Sequence, residues 1–397
     1  MPDHPDPTSP TPLTAPDADA LVAAVRSAID TRVPLVNYGR AHTGLGHPPP
    51  NPHTPYTFTA NTIDHEVRDL VVRADVGCTL AELQTTLARE NQFLPIDGDD
   101  KLTLAELVDH DILGPLRTGY GGLRDRLLGL TFVDGEARIV KVGGRTVKNV
   151  AGYDVTKLLV GAMGELGIIT EVNLRTATIP PATLIVDLNV KEPQQLDDFQ
   201  TTWLTAEAAP TWAVLVYDHQ ACTLRVGYHG TSRACHVQLR SLETLCDQMT
   251  DVRLAASEEY GYDEDQRERA AASDWRNDVP ALVKIIVPPA TSGFVCQSLM
   301  LHPPNDPPRQ IEAYPFQGSV FVGGEFNADQ ARRLDAQIAH VIAPAGGVRV
   351  WHRRPPNADD IDPFPPHNTD WPVLQRIKQT LDPHNILNPG RYLTTTP

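Results

Sequence analysis

The sequence predicts an α+β protein with two unequal parts, and three stretches carry that expectation. Gly114 to Arg175 holds 12 of the chain's 27 glycines in 62 residues, set between apolar runs rather than in a flexible repeat. Glycine permits positive φ and close backbone approach, so ordered segments joined by such turns suggest a surface of main-chain N–H groups, a common way to hold a phosphate. From Leu184 to Trp351, strand-like runs alternate with helical patterns, which suits a small α+β sandwich. Last, Val373 to Leu381 reads as a helix stopped by Asp382-Pro383-His384-Asn385, before a closing turn at Asn388-Pro389-Gly390-Arg391.

Length and composition set the frame. The chain has 397 residues, enough for two or three domains and ample core. A net charge of −16 and a pI near 5.3 argue against a nucleic-acid or anionic-membrane surface. No run approaches the roughly 18 apolar residues of a membrane span. The start has neither a basic n-region nor an apolar h-region, so a secretory signal is not expected. Six prolines in the first 16 residues predict a disordered tail over 1–14. Cys78, Cys222, Cys235, Cys246 and Cys296 form no CxxC pair, so reduced, buried thiols of a cytosolic protein are expected rather than disulfides or an iron–sulfur cluster.

Along the chain, Thr14-Ala15-Pro16-Asp17 resembles a capping box, followed by Leu21, Val22, Val25 and Ile29 at helical spacing. Pro34 to Asn37 reads as a buried strand entering a glycine-containing loop, Tyr38 to Gly46. His47 to Pro55 is a proline-rich excursion, and Thr57 to Val76 holds short strands. Thr79-Leu80-Ala81-Glu82 is a capping box opening a helix. Leu127 to Val133 and Ala137 to Val142 read as strands joined by a two-residue turn at Asp134-Gly135. Tyr153 to Val160 is a short helix with Asp154 as N-cap and Gly161 just past its end. Gly164 to Gly167 is a tight loop, and Ile168 to Leu174 a β-branched strand. Ile179-Pro180-Pro181-Ala182 is a linker. Beyond it, strands are expected at Leu184 to Val190, Trp212 to Tyr217, Leu224 to Tyr228, Leu282 to Val287, Ser319 to Phe326 and Val348 to Trp351. Helices fall at Pro193 to Ala206, Ser232 to Met249 and Ala328 to Ile342. On spacing alone, a turn-rich core without any ligand stays as open as a phosphate-binding one.

The wording of the central stretch narrows this. YGGLRDRLLGLTFVDG, followed by GGRTVKNVAGYDVTKLLVGAMGELGIITEV, resembles the FAD domain of the vanillyl-alcohol oxidase / p-cresol methylhydroxylase (PCMH) superfamily. VKNVAGYDVTKL with its following GxxGxLGIIT, and the terminal LDPHNILNPGRYL, resemble most closely the branch of FAD-binding E subunits of bacterial glycolate oxidases. The resemblance implies a PCMH-type FAD-binding domain of two α+β subdomains over 15–178. It also implies a smaller α+β cap over 182–372 and a tail, 373–397, returning to the FAD domain.

The same resemblance implies non-covalent FAD. Its cofactor-binding residues would be Gly39, Arg40, Ala41, His42, Thr43 and Gly44 in the first pyrophosphate loop. Gly114, Pro115, Arg117, Tyr120, Gly121, Gly122 and Asp125 would follow, then Gly161, Gly164, Gly167 and Ile168, with Asn388 at the isoalloxazine. Arg117 reads equally as a surface arginine, Arg124 and Asp125 as a mutual pair, and Asn-Pro-Gly as a generic turn. His42 stands where some relatives link the flavin; here a locally bonded loop histidine is expected. Arg40 and Ala41 replace glycines. Thr103-Leu104-Ala105-Glu106-Leu107 replaces a Gly-Gly loop, so that loop is displaced or flavin binding is weakened.

Oxidising a 2-hydroxy acid needs a hydride acceptor, a base and cations for the carboxylate. His302, His340, His352 and His367 have no short metal-ligand spacing, and no metal is expected. His352-Arg353-Arg354 reads as a surface turn, and Trp275 as core. No catalytic residue can be named. The expectation is therefore an FAD-carrying subunit of a glycolate oxidase complex, partnered by a catalytic flavin subunit and an iron–sulfur subunit. It would be cytoplasmic, or peripheral to the inner membrane face through partners. A self-sufficient flavin dehydrogenase of unknown substrate and a structural subunit with degenerate flavin binding are the alternatives.

Overall fold

The computed structural model describes residues 12–37, 45–49, 51–145, 155–206, 208–217, 221–249, 252–263, 265, 269, 275–301, 306–364 and 371–393. The expected proline-rich tail, the Tyr38–Gly44 loop with its six site residues, and residues 146–154 of the VKNVAGYD motif lie outside them.

The amino-terminal part begins with β1 (Leu13–Ala15), helix α1 (Ala18–Thr31), β2 (Leu35–Asn37) and β3 (Thr54–Phe58), the strands forming a parallel sheet in the order β1-β3-β2. Thr14 lies in β1; the cap of α1 is Asp17, whose carboxylate accepts from Ala20 N at 2.8 Å. Then come β4 (Ile63–Glu66), β5 (Val71–Asp75), α2 (Leu80–Ala88), β6 (Gln92–Phe93), α3 (Leu104–His110), α4 (Arg117–Tyr120) and α5 (Leu123–Arg126). The run closes with β7 (Leu127–Val133), β8 (Ile139–Gly143), α6 (Thr156–Leu159), β9 (Ile168–Arg175) and β10 (Ala177–Thr178). Five of these strands form an antiparallel sheet, β4-β5-β9-β7-β8. Its buried face packs Val72, Leu130, Phe132, Val172 and Leu174 against Leu83, Leu87 and Leu107 of α2 and α3.

The β7–β8 turn is longer than the two residues expected. Asp134 accepts from Glu136 N and Arg138 N, delaying β8 to Ile139, and Ala137 takes φ 60°. Gly135 donates to Leu381 O at 2.8 Å, and a Cβ there would come within 2.5 Å of the Asp382 backbone. The turn is thus shaped to receive the C-terminal tail.

The segment standing where a Gly-Gly cofactor loop is expected, and so either displaced or weakening flavin binding, is α3. Thr103 and Glu106 form a reciprocal capping box, Thr103 N donating to Glu106 Oε2 at 2.8 Å and Glu106 N to Thr103 Oγ1 at 3.3 Å. The tetrapeptide Thr-Leu-Ala-Glu occurs twice, and its other copy caps α2 identically; Thr79 and Thr103 form an antiparallel bridge. Glu106 therefore spends its charge on the helix start. Thr103→Ala should lower stability by about 1 kcal/mol, the usual worth of such a cap, read from urea unfolding. An unchanged midpoint would show that the box contributes nothing.

The second part is one antiparallel sheet of eight strands: β11 (Ala182–Val190), β12 (Trp212–Tyr217), β13 (Cys222–Gly230), β14 (Val252–Tyr260), β15 (Ala281–Ile286), β16 (Gln310–Tyr314), β17 (Ser319–Gly324) and β18 (Val348–Arg353). Their order is β14-β11-β13-β12-β16-β17-β15-β18. One face packs on α7 (Gln195–Thr205), α8 (Ser232–Cys246), α10 (Ser292–Met300) and α11 (Ala328–Ile342), with Val226, Val283, Ile285, Val320, Val322 and Trp351 in that core. The short helix α9 (Trp275–Asp278) precedes β15. The other face, with Ile185, Val214, Leu282, Tyr314 and Phe321, meets Phe93 and Leu116 of the amino-terminal part.

The tail crosses back from the sheet. Helix α12 (Trp371–Leu381) sends Lys378 into a buried position, where Nζ donates to Glu165 O, Asp382 Oδ2 and Leu387 O at 2.7–2.8 Å. Leu387 bridges Leu35 in β2, and Asn388 N donates to Leu35 O. The Glu165 carboxylate, fully buried, accepts from Tyr392 N and Leu393 N.

Candidate functional site

Three segments converge at the C-terminal end of α3. Val108 O accepts from Gly161 N at 2.8 Å and Asp109 O from Met163 N at 2.9 Å, so the turn after α6 is held against the helix end. Gly161 and Gly164 have φ of 77° and 72°, the left-handed region that favours glycine. A Cβ on Gly164 would lie 3.3 Å from Asn388 Nδ2 and 3.5 Å from Asp109 Oδ2. Asn388 is itself left-handed, 2% exposed, donates from Nδ2 to Met163 O, and leaves Oδ1 buried with no hydrogen-bond partner among the described residues. Asp109 Oδ2 accepts weakly from Asn37 Nδ2 at 3.4 Å, Asn37 being the residue that enters the 38–44 loop. Burial raises the Asp109 carboxyl to about 7.

The remaining expected residues divide between this cluster and other duties. Gly161 N and Met163 N are spent on α3, and Glu165 N on Ala162 O. Gly121 N and Gly122 N are likewise used locally, the latter on Asp125 Oδ2 at 2.8 Å. Asp125 thus caps α5 rather than pairing with Arg124, which donates to Val160 O and approaches Asp111 at 3.7 Å. Gly167 makes room for the Phe132 ring, and Ile168 is core. Among the described residues, the glycines of the central stretch shape turns and contacts more than they present free amides.

Gly114, Pro115 and Tyr120 face the eight-stranded sheet. Gln317 Nε2 donates to Gly114 O and Pro115 O. The Tyr120 hydroxyl meets His229 Nδ1 at 3.0 Å, and His229 Nε2 meets Asp265 Oδ2 at 3.0 Å. Burial and the Arg269 guanidinium pull His229 down to about 3, so the ring is neutral, accepts from Tyr120 and donates to Asp265. Arg269 Nε closes the network on Asp97 at 3.0 Å. Arg117 is exposed.

A cationic group stands on the same face of the sheet. Cross-strand register sets Glu312, Phe321, Lys284 and Val350 in a row. The Arg276 guanidinium lies 4.5 Å from the Phe321 ring centre, within cation–π range, and 3.6 Å from the buried Glu312. Burial holds Lys284 down at about 8, with Asp111 opposing that shift and Arg117 reinforcing it. His352 is lowered to about 3 by burial and by Lys284, Arg276, Arg353 and His110. Far from a surface turn, His352 and Arg353 belong to β18. Trp275, expected as core, is half-buried and donates from Nε1 to Glu312 at 3.1 Å. The helix end at Asp109 to Asp111 therefore joins two environments: Asp109 looks toward Asn37 and Asn388, while the charges of His110 and Asp111 are felt on the sheet.

Sequence reasoning passed over Asp109, Arg276, Lys284 and Glu312. Two signals were present: a titratable triplet, Asp109-His110-Asp111, inside an apolar run, and a lone lysine in the buried strand Ala281–Ile286. Among the described residues no group of three His, Cys, Asp or Glu side chains is placed to hold a metal ion. No described helix is long and apolar enough to cross a membrane.

Comparison with known proteins fits this geometry. Residues 13–143 match the FAD binding domain family, and 367–392 match the FAD linked oxidases, C-terminal domain. The glycolate oxidase subunit GlcE of Escherichia coli K12 is 25% identical over 378 residues, 94% of this chain and 97% of that protein. The mitochondrial cytochrome-type D-lactate dehydrogenase of Arabidopsis thaliana is 30% identical over 168 residues, 42% of this chain but 30% of that longer protein. The xylooligosaccharide oxidase of Myceliophthora thermophila C1 shares the fold at a TM-score of 0.72 and 14% identity, covering 97% of this chain and 91% of its own. With a PCMH-type α+β fold, an FAD binding domain at its amino-terminal end and the segment matching the C-terminal domain of FAD linked oxidases packed against it, the chain is an FAD-dependent oxidoreductase.

Proposed function

We propose that this chain is the FAD-binding subunit of a glycolate oxidase, a 2-hydroxy-acid dehydrogenase complex that converts glycolate to glyoxylate. Its partners would be a catalytic flavin subunit and an iron–sulfur subunit. The observation that carries this reading is the match to a named glycolate oxidase subunit across nearly the whole of both chains. On the same reading, residues 15–178 and 373–397 form the FAD domain and 182–372 the cap.

The described residues suit part of the cofactor. Asn388 Oδ1, buried beside a left-handed Gly164 and without a partner among the described residues, fits a hydrogen-bond donor on a flavin or ribityl edge. Glu106, tied into its capping box, does not oppose a phosphate freely. The pyrophosphate falls to Gly39, Arg40, Ala41, His42, Thr43 and Gly44, held without a covalent link through His42. Bound FAD supplies the two-electron acceptor. Arg276 and Lys284, with His352 beside them, supply the cationic surface that the carboxylate of a small 2-hydroxy acid requires. That surface also favours a second reading, a self-sufficient dehydrogenase of unknown substrate.

One preparation separates the two. The purified chain is reconstituted with FAD; acid precipitation of a portion should release the flavin into the supernatant. The remainder is given D- and L-2-hydroxy acids and an artificial acceptor, and turnover should stay well below about 1 per second, the low end of ordinary enzymes. Faster turnover would replace the subunit reading with the second one, and flavin retained in the pellet would point to His42.

A further inference from the structure

Asp109 is a carboxyl group without ordinary support. It is 4% exposed, and among the described residues its side chain accepts one long hydrogen bond, from Asn37, and makes no ion pair. Besides Asn37 of β2, the groups around it come from four elements. On α3, Glu106 is consumed by Thr103, His110 meets Glu106 O through Nδ1, and Asp111 is turned toward Arg124. From β3 comes Tyr56, whose phenol is pushed up by burial and by Asp109 itself. From the turn after α6 come Met163 and Gly164, then Glu165, whose Oε1 accepts from the tail amides while Oε2 is buried without a partner among the described residues. From the tail come Asn388 and Arg391, the latter donating to Leu45 O. Asn388 and Asp109 both lie within contact distance of the point where Gly164 lacks a side chain. The carboxyl therefore borders Asn388 Oδ1, a buried acceptor that lacks a donor among the described residues, beside the strand that enters the 38–44 loop.

We propose that Asp109 governs how tightly this site holds its flavin as pH changes, favouring the cofactor when neutral and opposing it when ionised. The inference rests on the reading that FAD occupies the cluster. A neutral carboxyl offers an O–H to a flavin or ribityl acceptor, as Asn388 offers its oxygen to a donor. An ionised one places a buried negative charge, uncompensated among the described residues, near a cofactor that carries two phosphates. The group's raised titration, near 7, brings the change into the physiological range. Glu106 is the other buried acid of the helix, and its capping bonds give it an independent reason to be there.

The test is a fluorescence and absorbance titration of the purified full-length apo-chain with FAD from pH 6 to pH 8.5. The wild-type dissociation constant should rise about tenfold across this range, with its midpoint near 7. Asp109→Asn, neutral at every pH, should bind at pH 8 as the wild type does at pH 6. Asp111→Asn should keep the wild-type slope. Melting of the apo-chains supplies a readout free of flavin: the stability margin of Asp109→Asn over wild type should grow as pH rises from about 4 toward 7 and stay level above, because in that window the folded wild type holds a proton that its unfolded chain has lost. FAD bound by the wild type with a flat profile would overturn the proposal alone, and so would an Asp109→Asn chain that keeps the slope. No FAD binding by either chain at any pH would overturn it together with the flavin-subunit reading.

Discussion

Lys378→Met is expected to destabilise the chain by about 3–5 kcal/mol, the usual result of removing one partner from a buried ion pair. The ammonium makes three short hydrogen bonds inside the amino-terminal part, two of them to carbonyls, Glu165 O and Leu387 O, that have no water to turn to. The third partner, Asp382, is 1% exposed and would be left a buried carboxylate supported, among the described residues, by Ile386 N and Leu387 N. Methionine fills similar space, so the loss is electrostatic and not a cavity. For a protein of this size the melting temperature should fall by roughly 10 °C. A shift of under about 2 °C would show that the tail is held by apolar packing alone.

The same substitution at Lys284 is expected to act in the opposite direction. Lys284 is half-buried, and its folded-state pKa of about 8 lies below the ordinary 10.5, so folding favours the neutral amine. The unfolded chain then binds the extra proton between those two values. The penalty is complete below pH 8, shrinks as pH rises through 8 to 10.5, and vanishes above. Removing it should stabilise the chain at pH 7 by on the order of 2 kcal/mol and have no effect near pH 11. The gain should come with a loss. If this amine helps to hold a carboxylate, Lys284→Met should weaken glycolate or oxalate binding to the FAD-loaded chain by tenfold or more, read from the perturbed flavin spectrum. Wild-type affinity for the anion should fall as pH rises past 8. A variant that is both less stable and an equally good anion binder would sink this account of Lys284.

These two lysines show which features a sequence displays and which it hides. Lys378 lies in a helix that reads clearly from its spacing, yet its partners, Glu165 and Leu387, are assigned by how the tail docks. Strands with continuous apolar runs, such as β7, β9, β11 and β12, were legible because burial on both faces writes itself into composition. β14 was not: Arg253 to Glu259 is exposed along its length and carries no apolar period. β16 hid behind a buried glutamate. The cationic face was illegible for a different reason. Lys284 and His352 are distant in sequence and become neighbours through the β15-β18 pairing, while Arg276, only eight residues before Lys284, is placed by its contact with Phe321 of β17. Around α3 the difficulty was the resemblance itself. Thr79-Leu80-Ala81-Glu82 reads as a cap, while the same four letters at Thr103 were read as an altered cofactor loop, although the local physics is identical.

The position of the tail has a consequence for how the protein is made. Chains leave the ribosome amino-terminal end first. β2 and β9 are thus synthesised before the whole eight-stranded sheet, and the segment that bridges Leu35 and satisfies Glu165 follows only afterwards. Until that segment emerges, the Glu165 carboxylate and the Leu35 edge remain open. Arrested synthesis anywhere in the sheet would leave a flavin half that has its strands but not its closure, a natural substrate for quality-control proteases.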